Sequence, residues 1–341
     1  MFWKRSYSIV IIGILLALVL MFMMFGSGLF TDMEETTQVE KENRIVVGVS
    51  QLGSESGFRT ANTESVQNAF TQQNGYILIF NNARQRQENQ LKAVRSFISQ
   101  RVDYIIFSPV VETGWETVLQ EAKEAGIPVI LMDRSVDVED ESLYVTWVGS
   151  NFEEEGQKAG RWLEKELRKQ KHTQDPVNIV VLTGTEGSSS QIGRTVGFDA
   201  VADEHENWNI LEQKCAEFTS TKGKEVMRGF LRKYPDIDVV VSQNDDMTFG
   251  AIEAIRESGR TVGVGGDIMI ISFDAVETAL EMVAEGTINV DIECNPDQGE
   301  YLLKVIDMLE AGEPVEKQYY VEEDVFTIEN VTEEVLDERS Y

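Results

Sequence analysis

The sequence predicts an α/β chain: two doubly wound parallel-sheet lobes joined by a hinge, preceded by one N-terminal transmembrane or signal helix. Three observations carry the lobes. Short apolar runs alternate with segments of helical length from Arg44 onward, the pattern that builds parallel sheets through right-handed crossovers. Several runs are Ile and Val without polar alternation, as strands covered on both faces require. About ten such runs are too many for one typical sheet of this kind, so two similar lobes are expected.

In chain order, the first set of strands is RIVVGV (44–49), YILIF (76–80), DYIIF (103–107), PVILM (128–132) and YVTWV (144–148). The second is VNIVVL (177–182), WNILEQ (208–213), IDVVV (237–241), IMIIS (268–272) and TINVD (287–291). Between them, Val66, Ala69 and Phe70 keep helical spacing, as do Leu91, Val94 and Ile98. SNFEEEGQKAGRWLEKELRKQ, from Ser150, opens with a Ser/Asn cap and an acidic first turn and ends basic, the order that the helix dipole prefers. That long helix and the KHTQDP break before Val177 mark the change of lobe.

The N-terminus is a separate unit. Between Lys4–Arg5 and Asp32 the chain carries no charge, long enough to span the ~20 residues a bilayer needs. The basic residues on the short side keep that end cytoplasmic and put the body outside. An uncleaved signal-anchor over 1–31 is expected over a cleaved secretory signal, because the apolar run is long and FGSGLFTD is a weak cleavage site. Residues 32–43, DMEETTQVEKEN, read as a charged tether.

The 341 residues carry a net charge of −29. Residues 1–30 hold only Lys4 and Arg5, so the rest carries −31, two units more negative than the whole. Such a surface repels phosphate backbones and excludes nucleic acid as a partner. Cys215 and Cys294 form no metal or redox motif, and their spacing does not decide whether they pair.

Ligands of open parallel sheets lie beyond the carboxyl ends of the strands. The residues to weigh are therefore Ser50–Arg59, 81–84, 108–112, Asp133–Arg134, 183–187, 244–246, 273–274 and 293–295. No phosphate loop is present: GSESGFR lacks both the spacing and the lysine. The first turn offers only Gly53 and Gly57, so a dinucleotide fingerprint is excluded too. His172 and His205 sit in polar helix-end contexts, leaving a nucleophilic serine without a base. Zinc spacing is absent, and NDD at 244–246 reads as a helix cap with ligand hydrogen bonds rather than a cation site. An enzyme is not expected, nor a cofactor.

What remains after the strands is Phe58 and Phe218, Arg59, Arg134 and Arg194, and Asp133, Asn244, Asp274 and Glu293. Aromatic rings with fork-shaped donors and carboxylates suit a sugar, whose C–H faces lie on rings and whose hydroxyls need donors and acceptors. Each residue also has an ordinary structural role open to it, such as core packing for Phe218. The constellation is the signal, because all follow strands.

SQLGSESGFR, QENQLKAVRSF, SPVVETGWE, MDRSVDVEDESLY, FTSTKGKEVM and NDDM resemble the periplasmic sugar-binding proteins of ABC importers, ribose/galactose type, and most of all their galactofuranose-binding members. The resemblance runs from about Arg44 to the C-terminus and implies a type I periplasmic-binding-protein-like fold. It implies that Glu55, Ser56, Gly57, Phe58 and Arg59 hold the sugar from the first lobe. Asp133 and Arg134 match the Asp–Arg pair after the fourth strand, and Arg194 in IGRTVGF matches the second lobe's arginine. Phe218, Asn244 and Asp274 match its aromatic, amide and carboxylate. Glu293 matches a hinge position held by Glu or Gln. Departures are Phe58 in place of a Trp, Ser220 in place of a basic residue, and the hydrophobic anchor.

The resulting expectation is lobes of 44–149 plus 295–320 and 151–293 plus 322–333, crossed near Gly149–Asn151, Cys294 and Val321. A monosaccharide would bind between them and close the hinge. The partner would be an ABC permease or, with the same cleft used as a sensor, a membrane histidine kinase; the protein would be a monomer. A lacI-type regulator shares the lobes but needs a basic DNA-binding head, which this chain replaces with an apolar segment.

Overall fold

The computed structural model describes residues 44–172, 174–339 and 341. The expected anchor (1–31) and tether (32–43) lie outside the described residues. Among the described residues no helix is long and apolar enough to cross a membrane.

Two six-stranded sheets form the body. The first contains β1 (Ile45–Gln51), β2 (Tyr76–Asn82), β3 (Tyr104–Phe107), β4 (Val129–Met132), β5 (Thr146–Gly149) and β11 (Gln318–Tyr320), in the order β11-β5-β4-β3-β1-β2. The second contains β6 (Val177–Thr183), β7 (Trp208–Cys215), β8 (Val239–Ser242), β9 (Met269–Asp274), β10 (Val290–Glu293) and β12 (Val325–Thr327), in the order β12-β10-β9-β8-β6-β7. The inner pairings are parallel, as in β1–β3 and β6–β8, whereas β12 runs antiparallel to β10. In each sheet the winding reverses beside the first strand, between β1 and β3 and between β6 and β8. There the carboxyl ends diverge and leave a crevice.

The ten expected strands are present with their ends shifted by a few residues. β11 and β12 were not expected. Each is three residues long, QYY and VFT, too short to show a period. Both are placed by tertiary pairing at sheet edges, and the chain crosses between the sheets there for the third time.

Among the described residues ten α-helices cover the sheets: α1 (Gly57–Ala69), α2 (Gln87–Gln100), α3 (Glu116–Glu124), α4 (Phe152–Gln170), α5 (Ser189–Ala202), α6 (Ser220–Lys233), α7 (Asp245–Glu257), α8 (Glu277–Ala284), α9 (Gly299–Glu310) and α10 (Glu333–Glu338). Consecutive strand residues serve opposite faces. In the second sheet Val180, Val240 and Ile270 pack with Met227, Phe230 and Ile255 of α6 and α7. Their neighbours Val181, Val241 and Ile271 pack with Leu163 and Phe198 of α4 and α5. This is why the runs lack polar alternation. Burying each Leu, Ile or Phe contributes about 1.5–3 kcal/mol. Asn151 caps α4, its side chain accepting from the Glu154 amide, with Glu153–Glu155 in the first turn and Arg168 and Lys169 in the last. The change of sheet thus falls just before this helix.

Candidate functional site

The carboxyl ends of both sheets face one small cavity of about 20 Å³, room for about one water molecule between the closed walls. Of the residues expected at the site, Glu55, Ser56, Phe58, Arg59, Asp133, Arg134, Arg194, Phe218, Asn244 and Asp274 line it. Phe152, Ser190 and Cys294 line it as well and were missed. Phe152 stands just past β5, at the crossing. Ser190 lies three residues beyond the 183–187 window. Cys294 lies inside the 293–295 window, where Glu293 rather than its neighbour is the residue expected at the ligand. Both cysteines are free thiols.

Two expected residues lie elsewhere. The Gly57 amide donates to Asp246 Oδ2 at 3.0 Å, across the crevice. Glu293 does not face the cavity. Its Oε2 accepts from the Asp324 amide at 2.7 Å, and its Oε1 accepts from Arg339 Nη1 at 2.6 Å and the Tyr341 hydroxyl at 2.8 Å. Its position on the hinge strand turns it to the C-terminal segment.

Local conformation aims these side chains. Asp133, Phe218 and Asp274 have φ of 59°, 57° and 109°. Such left-handed backbone costs non-glycine residues of order 1–3 kcal/mol each and collects at ligand sites. Ser56 caps α1 and Asn244 caps α7, their oxygens accepting from the Arg59 and Met247 amides. A Cβ on Gly184 would stand 1.8 Å from Phe218 Cζ, so only glycine lets that ring lie against β6.

The three arginines are buried and stacked, each on a different ring or pair of rings. Arg59 covers Phe58 at 5.0 Å, Arg134 covers Phe218 at 5.2 Å, and Arg194 lies over Phe152 and Phe273 at 5.5 and 5.0 Å. Their charge balance differs. Arg59 Nη2 donates to Asp133 at 2.7 Å, and its Nε lies 3.5 Å from Glu55. Burial works against its charge, but Asp133 and Glu55 outweigh it and hold the guanidinium above its usual value. Arg194 donates to Glu155 at 2.6 Å, to Asp274 at 3.3 Å and to the Gln243 carbonyl. There too burial is outweighed, first by Glu155. Among the described residues Arg134 donates one hydrogen bond, from Nη1 to the Val110 carbonyl at 3.1 Å, and Asp133 and Glu55 attract it without bonding to it. Burial, reinforced by repulsion from Arg59, lowers it to about 10. It stays charged at neutral pH but under-bonded. Arg134 Nε and Glu55 Oε2 are buried without a hydrogen-bond partner. Buried polar atoms rarely stay so, and here they belong to cavity-lining residues. Burial also pushes Asp274 well above the usual carboxyl range despite Arg194.

The crevice is closed. Besides Gly57–Asp246, the Glu112 amide donates to the Gly187 carbonyl and the Ser135 amide to Ser189 Oγ, both at 3.0 Å. The crossings are tied together: the Val321 amide donates to the Gly149 carbonyl at 3.0 Å, and Ser150 Oγ lies 3.3 Å from Cys294 Sγ.

A family profile described as periplasmic binding protein domain matches residues 47–314. The chain belongs to this family. The periplasmic binding protein fold accounts for both the paired sheets and the crevice between them. Among curated relatives, the galactofuranose-binding protein YtfQ of Escherichia coli (strain K12) is 43% identical over 256 residues, 74% of this chain and 78% of that protein. A Mycobacterium smegmatis structure in complex with β-D-fucofuranose is 43% identical, with a TM-score of 0.82 over 87% of this chain and 95% of that one. The binding protein of the arabinose ABC transporter from Shewanella sp. ANA-3, bound to α- and β-L-arabinofuranose, is also 43% identical, with a TM-score of 0.80 over 86% and 95%.

Proposed function

We propose that this chain is an extracytoplasmic solute-binding protein that takes one monosaccharide in furanose form and delivers it to a sugar ABC permease. The observation that carries this reading is the set of three buried arginines, stacked on phenylalanines and contributed by both sheets around one small cavity. Rings cover the C–H faces of a sugar, and fork donors and carboxylates address its hydroxyls. The relatives known with furanose sugars, at 43% identity, favour the five-membered ring form.

Residues 44–149 plus 295–320 and 151–293 plus 322–333 act as the closing bodies. A ligand shifts a hinge only by its differential affinity for the two states. A sugar touched from both sheets supplies that difference, adding to the three cross-crevice hydrogen bonds. Residues 1–31 tether the body to the outer face of the membrane, which keeps it beside the permease. The family and its relatives bind sugars, and the function is binding.

The test is a thermal-shift panel of galactofuranose, arabinose, ribose and galactose on the purified chain. A rise in Tm with a sugar able to adopt the furanose form, and Kd in the micromolar range or tighter, about −8 kcal/mol, supports the reading. No rise with any sugar overturns it.

A further inference from the structure

Asp245 and Asp291 lie behind the cavity rather than in it, and both are completely buried. The two carboxyl groups accept from the amides of consecutive residues, Ala275 and Val276, which brings them side by side. Asp245 Oδ1 accepts from Ser272 Oγ at 2.5 Å, and Oδ2 accepts from the Val276 amide at 2.9 Å. Asp291 Oδ1 accepts from the Ala275 amide at 3.2 Å. Asp291 Oδ2 is buried with no donor to it.

Two carboxylates in contact inside a protein cannot both stay ionised. A proton between them satisfies the orphaned oxygen and removes the repulsion. The two amides held by this pair belong to the residues that follow Asp274. That turn is strained: Asp274 has φ 109° and Ala275 φ 61°, so it persists only while its surroundings hold it. Its product is the direction of the Asp274 carboxylate, which lines the cavity and accepts from Arg194.

We propose that Asp245 and Asp291 are positioning residues that share one proton and thereby clamp the 274–276 turn, holding Asp274 in its ligand-facing pose. The inference rests on the reading of the Asp274 cavity as a sugar site. Loss of the shared proton leaves two adjacent buried negative charges with Asp274 close by. The opposing cations are Arg194, which is engaged with Glu155 and Asp274, and Arg339, near Asp291; Asp246 and Glu155 add further negative charge around Asp274. The turn then opens and Asp274 leaves the cavity. Burial pushes both carboxyls upward, and at Asp245 the neighbouring Asp291 adds to it, so the loss falls on the alkaline side.

The experiment follows the sugar Kd of the full chain, for the sugar that the panel selects, from about pH 6.5 to about pH 9.5. Wild type, Asp291→Asn and Asp291→Ala are compared. Asn keeps an oxygen for the Ala275 amide and places an N–H where the shared proton sits. The expected result is about tenfold weakening in wild type across that range, a flat profile for Asp291→Asn, and weak binding at every pH for Asp291→Ala. Titrations of Arg134, Asp246 or Asp274 themselves are common to wild type and Asp291→Asn and do not separate them. A sugar-independent readout is infrared: wild type minus Asp291→Asn gives a protonated carboxyl band that disappears at alkaline pH. A flat wild-type profile, the same pH slope in Asp291→Asn, or absence of that band overturns the proposal. If the band is present and no sugar binds, the transport reading fails while the proton-sharing pair stands.

Discussion

Arg134 and Arg59 are neighbours of equal charge, yet truncating them should have opposite consequences. Arg59 neutralises Asp133 at 2.7 Å and is within 3.5 Å of Glu55. Arg59→Ala leaves those buried carboxylates without their cation, a loss of about 3–5 kcal/mol. At about 2–4 °C per kcal/mol for a protein of this size, Tm falls on the order of 10 °C. Among the described residues Arg134 makes one hydrogen bond, to the Val110 carbonyl, and Arg59 opposes its charge. Arg134→Ala gives up that bond, the stacking on Phe218 and the attraction of Asp133 and Glu55, but it also removes a buried charge that burial and Arg59 oppose, so its Tm should fall less than that of Arg59→Ala. Its free Nε is available to a hydroxyl, and a hydrogen bond from a charged donor contributes about 1.5–3 kcal/mol. The sugar Kd should then weaken about 10- to 150-fold. Differential scanning fluorimetry and titration calorimetry on both variants decide it. If Arg134→Ala binds within threefold of wild type, or loses more Tm than Arg59→Ala, the division of labour drawn here is wrong.

Other positions give sharp expectations. Gly184→Ala drives a methyl into the Phe218 ring and should weaken sugar binding about tenfold or more, read by calorimetry, while the far-ultraviolet circular dichroism stays unchanged. Asp246→Ala removes the acceptor of the Gly57 amide; small-angle scattering without ligand should show a larger radius of gyration than wild type. Glu293→Ala breaks the bonds to Arg339 and Tyr341, so Tm should drop while Kd changes less than threefold. Burial pushes Glu323 up to about 8. For an acid raised on folding, stability is highest below its unfolded pKa of about 4.5 and is lost as pH rises towards 8. Wild-type Tm should therefore fall between about pH 5 and pH 8.5, and Glu323→Gln should flatten that slope.

The sequence made the architecture readable because strands buried on both faces must be apolar throughout, and ten such runs left little choice. It could not show QYY at 318–320 or VFT at 325–327 as strands, since three residues have no period and only the partners β5 and β10 recruit them. At the site, the rule that ligands lie past strand ends found Arg59, Arg134 and Asp274, whereas Arg194, inside a helix beyond the 183–187 window, was placed by the family resemblance. The rule stopped short of Phe152 and Ser190, which reach the cavity from the first turns of helices. It placed Glu293 at the sugar because the position was right, but side-chain direction on a hinge strand depends on the Arg339 contact, forty-six residues away. The clamp of Asp245 and Asp291 was invisible for the same reason: carboxyls from α7 and β10 meet only after the second sheet has formed.

The most direct test of the account is a crystal structure of the protein with the sugar that raises its Tm most. The account predicts one furanose ring in the cavity between the two sheets, against the rings of Phe58, Phe152 and Phe218, with Arg134 donating to a hydroxyl and Asp274 accepting from one. A sugar bound elsewhere, or one in the cavity that makes no contact with Arg134 or with residues of the second sheet, would contradict it.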